Sequence, residues 1–169
     1  MHRFAITLRR TSLLLQSVET FAACVLIVAF TLILSVNVFG RYVLNAPLFF
    51  AEELAVYILI WMAFLAAAAS IGRGDLVRVS LVDALPPRLV RAIRLVVEIL
   101  VFAMLAGMLY AAWKWFNGPA VAFEQALTLN MPKRPFLAII PLFCGLSLLH
   151  TLSHIVEILV LDTARGTAR

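Results

Sequence analysis

Four long apolar stretches separated by short polar connections run along the chain, a pattern that predicts helices crossing a bilayer. The first covers residues 17–39, carries no charge from Thr20 onward, and ends in Gly40-Arg41-Tyr42. A helix needs about 20 apolar residues to traverse ~30 Å of hydrocarbon. Asn45 and Pro47 then break the helix. The second stretch, 50–71, opens with Glu52 and Glu53 in its first turn, where the helix dipole favours negative charge, and stops before Gly72-Arg73-Gly74. The third, 92–113, starts with Arg94 and Glu98 one turn apart and ends at Lys114, whose stem can snorkel toward water. A mixed connection from Asn117-Gly118-Pro119 through Met131-Pro132-Lys133-Arg134-Pro135 leads to the fourth, 136–159, where Pro141 in the second turn is placed to kink the helix.

Between the second and third stretches, residues 75–85 show a different pattern. Val77, Leu81, Ala84 and Leu85 share a helical face, Asp75 can cap its start, and Pro86-Pro87 stops it. A short helix in the membrane interface is expected there, although Val77, Val79 and Leu81 also fit a strand. The fold class is therefore all-α: an integral membrane bundle of four transmembrane helices with a short interfacial helix, forming one domain over 1–169.

Composition excludes water as the solvent. Hydrophobic residues make up 64% and charged residues 14%, too few to cover a soluble body of this size. The net charge of +5 lies in the connections, with no basic run interleaved with aromatics, so membrane lipid headgroups and not nucleic acid are the expected counterpart. Arg3, Arg9, Arg10, Arg73, Arg78, Arg88, Arg91, Arg94, Arg165 and Arg169 fall on one side; Arg41, Lys114, Lys133 and Arg134 fall on the other. The positive-inside rule makes the rich side cytoplasmic, with both termini there. Tyr42, Phe49, Phe50, Tyr57, Trp113, Trp115 and Phe116 cluster near the opposite ends, as an interfacial aromatic belt does.

Few residues offer chemistry. His150 and His154 lie one turn apart on the fourth helix, with Glu157 a further turn along, a spacing that permits two metal ligands on one face. A haem between helices needs a histidine from each side, and the remaining one is His2 in the N-terminal tail, so no metal or cofactor is expected. By depth, Glu19, Glu98, His150, His154 and Glu157 all fall in the cytoplasmic third, where they can neutralise one another in a polar layer. Cys24 and Cys144 read as small core residues, and Ala103, Gly107 and Ala111, four apart, form a smooth stripe for close helix packing. A small proton-coupled multidrug-type exporter is the alternative reading. It lacks a polar residue at mid-depth, and no nucleophile, base and oxyanion donor can be assembled for an enzyme.

Asn37-Val-Phe-Gly-Arg41-Tyr42-Val-Leu-Asn45, then Ala51-Glu52-Glu53-Leu54, Trp61-Met-Ala-Phe64, Val77-Arg78-Val79 and Leu85-Pro86-Pro87-Arg88 resemble, in order and spacing, the small Q-type (DctQ-like) membrane subunit of TRAP transporters, the tripartite ATP-independent periplasmic transporters. The chain departs from that family's usual residues at Phe50, Ala66, Leu76 and Ser80. The resemblance implies a fixed scaffold in the bacterial inner membrane. Its partners would be a large membrane subunit that carries sodium and organic acids and a periplasmic substrate-binding protein. Arg41, Tyr42, Asn45, Glu52, Glu53, Tyr57, Trp61 and Phe64 are the structural and partner-interface candidates. At 100° per residue, Glu52 aligns with Leu59, Ala63 and Ser70 on a side expected to pack inside the bundle, with Arg41 as its cation. Glu53 aligns with Tyr57, Ile60 and Phe64 on a face expected to meet the large subunit.

The charge asymmetry yields a topology prediction. With Cys24 and Cys144 replaced by alanine, single cysteines at Asn45 and Asn117 should react with a membrane-impermeant thiol reagent applied to the periplasm, and one at Ser80 should not. Labelling at Ser80 but not at Asn45 would invert the assignment.

Overall fold

The computed structural model describes residues 2–74 and 86–166. Four helices in it are long and apolar enough to cross a membrane. They lie within α1 (His2–Tyr42), α2 (Phe49–Arg73), α3 (Pro87–Phe116) and, for the fourth, the single-turn α5 (Arg134–Leu137) together with α6 (Ile139–Gly166). Between α3 and α5 the chain adds α4 (Pro119–Phe123) and a hairpin of β1 (Gln125–Ala126) and β2 (Met131–Pro132), antiparallel with Ala126 opposite Met131. The segment expected to form the interfacial helix, 75–85, lies outside the described residues.

Two boundaries differ from expectation. The N-terminal tail is helical, making α1 41 residues long, or ~60 Å at 1.5 Å per residue. Its charged and hydroxyl residues favour water, but none prevents helix formation, so hydropathy marks where the membrane begins and not where the helix does. The fourth span is broken at Ala138 into α5 (Arg134–Leu137) and α6. Pro141 supplies the cause: its ring clashes with the carbonyl four residues earlier, so it is accommodated in the first turn of a new helix. The Leu142 N–H reaches back to the Ala138 carbonyl at 3.2 Å.

Helix α6 is the hub. It packs against α1, α2 and α3, while α1 and α2 form an antiparallel pair and α3 rests mainly on α6. Accordingly α6 is the most enclosed of the four spans and α1 the least. Ala51, Ala55, Leu65, Ala68 and Ala69 give α2 its buried side; Cys144, Ser147, His150 and Thr151 do so for α6. Small residues at these positions let backbones approach where lipid provides no hydrophobic drive.

The α1–α2 connection is fixed by backbone geometry. Asn45 is left-handed (φ 51°), a conformation that asparagine tolerates better than most residues. The Ala46 N–H donates to the Gly40 carbonyl at 2.9 Å, and a Cβ on Gly40 would lie 2.9 Å from the Ala46 oxygen. Buried Asn37 accepts the Leu48 N–H through Oδ1 at 3.0 Å, satisfying an amide at the start of α2 that no helical carbonyl reaches. Asn37→Leu should therefore destabilise the chain by about 1–3 kcal/mol. In detergent this would appear as a lower thermal midpoint, with Asn37→Asp, which keeps the acceptor, closer to the parent; equal midpoints for Leu and the parent would show that this bond is not structural.

Candidate functional site

Two levels of the bundle carry polar side chains, separated by ~27 Å along α1 from Glu19 to Asn37, close to the thickness of a hydrocarbon core. At the arginine-rich level the four long helices converge. His150 on α6 is fully buried; its Nε2 lies 3.1 and 3.2 Å from the two Glu19 oxygens on α1, and its Nδ1 lies 2.7 Å from Ser12 Oγ. The Nε2 N–H donates to the Glu19 carboxylate, and Nδ1 pairs with the Ser12 hydroxyl, which can donate or accept. One turn further, His154 places Nδ1 3.3 Å from Glu98 on α3 and Nε2 3.1 Å from the Gly72 carbonyl on α2. A carbonyl can only accept, so Nε2 must donate. The Nδ1–Glu98 contact therefore holds a second proton, whichever partner carries it, and the pair is neutral as a unit. At its edge, Arg9 meets Glu157 at 3.4 Å and Arg91 donates to the Ile158 carbonyl at 2.8 Å.

The opposite, hairpin level is built differently. Arg41 donates to Glu52 in an ion pair whose side chains are 49% and 64% exposed. Glu53 reaches the hairpin tip, accepting from the Thr128 N–H at 2.8 Å and from the Thr128 hydroxyl, while the Tyr57 hydroxyl donates to it at 3.2 Å. Tyr57 stacks on Phe136 with ring centroids 4.3 Å apart, the Trp61 N–H donates to the Phe136 carbonyl at 2.8 Å, and Phe64 tilts against Phe143 at 5.1 Å. Beside the hairpin, Arg134 lies 5.1 Å over the Phe116 ring.

With four spanning helices and this double polar frame established, the comparison with known families is decisive. The sequence model of the DctQ component of the tripartite ATP-independent periplasmic transporters matches residues 30–161. The chain belongs to that family. It is thus a multi-pass membrane component of a TRAP transporter. No curated protein matches the DctQ chain. The matched stretch holds Glu98, His150 and His154 but begins beyond Ser12 and Glu19, so α1's contribution to the polar layer comes from outside it.

Within this DctQ chain the residues expected to form a polar layer do converge. Several other expectations need correction. The aromatic face of α2, with Glu53, Tyr57, Trp61 and Phe64, is engaged by α5, α6 and the hairpin of the same chain, so it is not an open surface for another subunit. Tyr57 is buried and leaves the aromatic belt; Tyr42, Phe49, Phe50, Trp113 and Trp115 remain exposed. Of the side of α2 expected to pack inside the bundle, Glu52, Leu59 and Ala63 are exposed and Ser70 is half-buried, while Arg41 of α1 does pair with Glu52. The stripe of Ala103, Gly107 and Ala111 is exposed in the chain by itself, and among the described residues nothing lies within 4 Å of a Cβ built on Gly107. Cys144 is buried as expected but Cys24 is exposed on α1. Among the described residues no group of three or more His, Cys, Asp or Glu side chains is placed to hold a metal ion.

Three participants escaped sequence reading. Ser12 looks like any hydroxyl on α1; Thr11, Ser17, Thr20 and Thr31 all bond to their own helix. Thr128 sits 75 residues from its carboxylate partner. Gly72 was legible as a helix end, where Gly74 (φ 70°) closes α2 with bonds to the Ser70 and Ile71 carbonyls. Its second role was not: a Cβ there would lie 3.0–3.3 Å from the His150 ring.

The layer predicts strong coupling. His150→Leu should cost roughly 3–5 kcal/mol by leaving the Glu19 carboxylate buried without a partner, and His150→Leu with Glu19→Leu should cost less than His150→Leu alone. Thermal retention of monodisperse protein in detergent reads this cycle; additive losses would show the two side chains to be independent. Arg41→Ala and Glu52→Ala, acting on an exposed pair, should each shift stability by no more than about 1 kcal/mol in the same assay.

Proposed function

We propose that this DctQ chain is the small, non-catalytic scaffold subunit of a sodium-coupled TRAP transporter for organic acids. It sits in the bacterial inner membrane with both termini in the cytoplasm, alongside the large transporting subunit and a periplasmic binding protein. The observation that carries this reading is the outward face of α3. That helix rests on α6 along one side, while Ala103, Gly107 and Ala111 line an exposed side that no helix among the described residues covers. Lipid tails fill around bulky residues as readily as around small ones, but a partner helix approaches closely only over small ones. A scaffold also needs its helices fixed relative to one another, and the polar layer ties α1, α2 and α3 to α6. The layer's carboxylates are engaged in that role, which leaves Glu19 and Glu98 poorly suited to carrying protons for an exporter.

Gly107→Leu separates assembly from folding. A Cβ there meets nothing within 4 Å among the described residues, so the isolated variant should unfold at the parental temperature, while the yield of co-purified large subunit should fall about fivefold or more. An undiminished yield would remove α3 from the interface. The isolated parent, reconstituted in vesicles, should carry no organic acid; substrate-dependent flux would rule out the scaffold role.

A further inference from the structure

The two histidines of the polar layer differ in the protons their partners allow. His154 turns Nε2 toward a carbonyl, which only accepts, so that nitrogen always carries hydrogen. His150 turns Nδ1 toward the Ser12 hydroxyl at 2.7 Å, and a hydroxyl both donates and accepts. With Nδ1 bare, the Ser12 O–H donates to it; with Nδ1 protonated, the ring donates and the Ser12 oxygen accepts. The Nε2 N–H donates to Glu19 in both states. The His150 ring therefore holds one proton or two without losing a hydrogen bond, and the His150–Glu19 unit passes from one negative charge to none.

The surroundings favour a site that takes the second proton. His150 is fully buried, and Glu19 and Ser12 are 3% and 4% exposed. Among the described residues, His150 is the one side chain bonded to Glu19. Helix α2 meets the ring with Gly72, which brings no charge. One turn along α6 lies His154, bonded to Glu98 of α3 in a pair that is neutral as a unit. Arg9 and Glu157 pair with each other at 3.4 Å and, with Arg73, line the cleft beyond Ser12. Among the described residues no lysine or arginine contacts Glu19, so an imidazolium at His150 is the cation that can balance it.

Access runs through the serine. A cleft of about 330 Å³ opens between α1, α2 and α6 at the arginine-rich level, and Ser12, Gln16, Gly72 and Ser153 are among the residues that line it. His150 and Glu19 do not. The Ser12 hydroxyl thus borders the cleft and is bonded to Nδ1. A proton from water in the cleft passes to the Ser12 oxygen while the hydroxyl's own proton moves to Nδ1; nothing is oxidised, and release is the reverse. From Thr20 to Val36, α1 carries no Asp, Glu, His, Lys or Arg, so this helix offers no onward carrier toward the hairpin level. The arrangement binds a proton and does not conduct it. We infer that Ser12, His150 and Glu19 form a proton-binding site loaded from the arginine-rich side through the Ser12 hydroxyl, so that the charge of the α1–α6 contact follows the acidity on that side.

Nitrogen NMR of the whole chain with isotope-labelled histidines, in detergent, reads each ring nitrogen as bare or protonated. As the pH is lowered, the His150 Nδ1 signal should move from the bare to the protonated position, while His154 Nε2 stays protonated throughout. Transfer to heavy water tests the route: Ser12→Ala removes the relay and should slow exchange of the His150 ring protons about tenfold or more. Ser12→Thr, which keeps a hydroxyl, should exchange as the parent does. So should Ser17→Ala, which removes a hydroxyl bonded to the Leu13 carbonyl of its own helix. An Nδ1 signal that never moves while the chain stays folded would overturn the proton site. Undiminished exchange in Ser12→Ala would overturn entry through that hydroxyl. Should Ser12→Ala fail to fold, the parent decides: ring protons exchanging no faster than the backbone amides of α6 around them would mean that water reaches His150 only on unfolding, and the inference would be lost.

Discussion

A carboxylate within a bilayer must find a proton or a cation, and Glu19 and Glu98 each find a histidine on the same helix. That requirement organises the rest of the bundle. Because both histidines project from α6, the carboxylates of α1 and α3 can be satisfied only if both helices pack against it, and the Gly72 carbonyl draws α2 to the same level. Removing either member of such a pair leaves an uncompensated buried group, whereas a well-packed apolar replacement of both can be nearly neutral. The layer thus contributes less to stability than to uniqueness: apolar helices in lipid can pack in many rotations, and few of those rotations bring Ser12, Glu19, Gly72 and Glu98 within reach of one turn of α6.

The hairpin level achieves order by other means. Its ion pair, Arg41 with Glu52, is solvated and contributes little by itself. Position there is set by uncharged contacts: the Asn37 acceptor for the Leu48 amide, the close passage of Gly40 past Ala46, and the Trp61 bond to the Phe136 carbonyl. Glu53 then ties the hairpin tip to α2 through Thr128, holding a connection whose apolar tip residue, Leu127, is 90% exposed. One end of the bundle is locked by buried pairs and the other by backbone fit and aromatic stacking.

Much of this was readable from the chain. Span number and position follow from the length of apolar runs, and the polar layer follows from depth, since an ionisable residue placed a fixed number of turns from a helix end has a known height. Rotation about the helix axis was not readable. In a soluble helix the polar face marks the outside, but both faces of α2 and α3 are apolar, so the pattern carries no sign of which side is buried. Alanine and glycine served as a proxy for packing, and the proxy pointed the wrong way at Ala63 on α2, which is exposed; Ala103, Gly107 and Ala111 on α3 are exposed too, so the pattern did not say which neighbour they would meet. The aromatic face of α2 was legible as a contact surface, but its occupant, Phe136 and Phe143, lies more than 70 residues further along the chain.

The hub arrangement has a mechanical consequence for assembly in this DctQ chain. Since α3 rests mainly on α6, its orientation relative to the α1–α2 pair is transmitted chiefly through α6 among the described residues. Two directional contacts fix it there, Glu98 with His154 and Arg91 with the Ile158 carbonyl, both at the arginine-rich level. Towards the hairpin level the end of α3 is held by Arg134, which lies over the Phe116 ring and bonds to Asn117. The direction in which the Ala103, Gly107 and Ala111 face points is therefore set from both ends of the helix, and the histidine and arginine contacts of the polar layer are one of its two supports. That couples the polar layer to any surface that α3 presents.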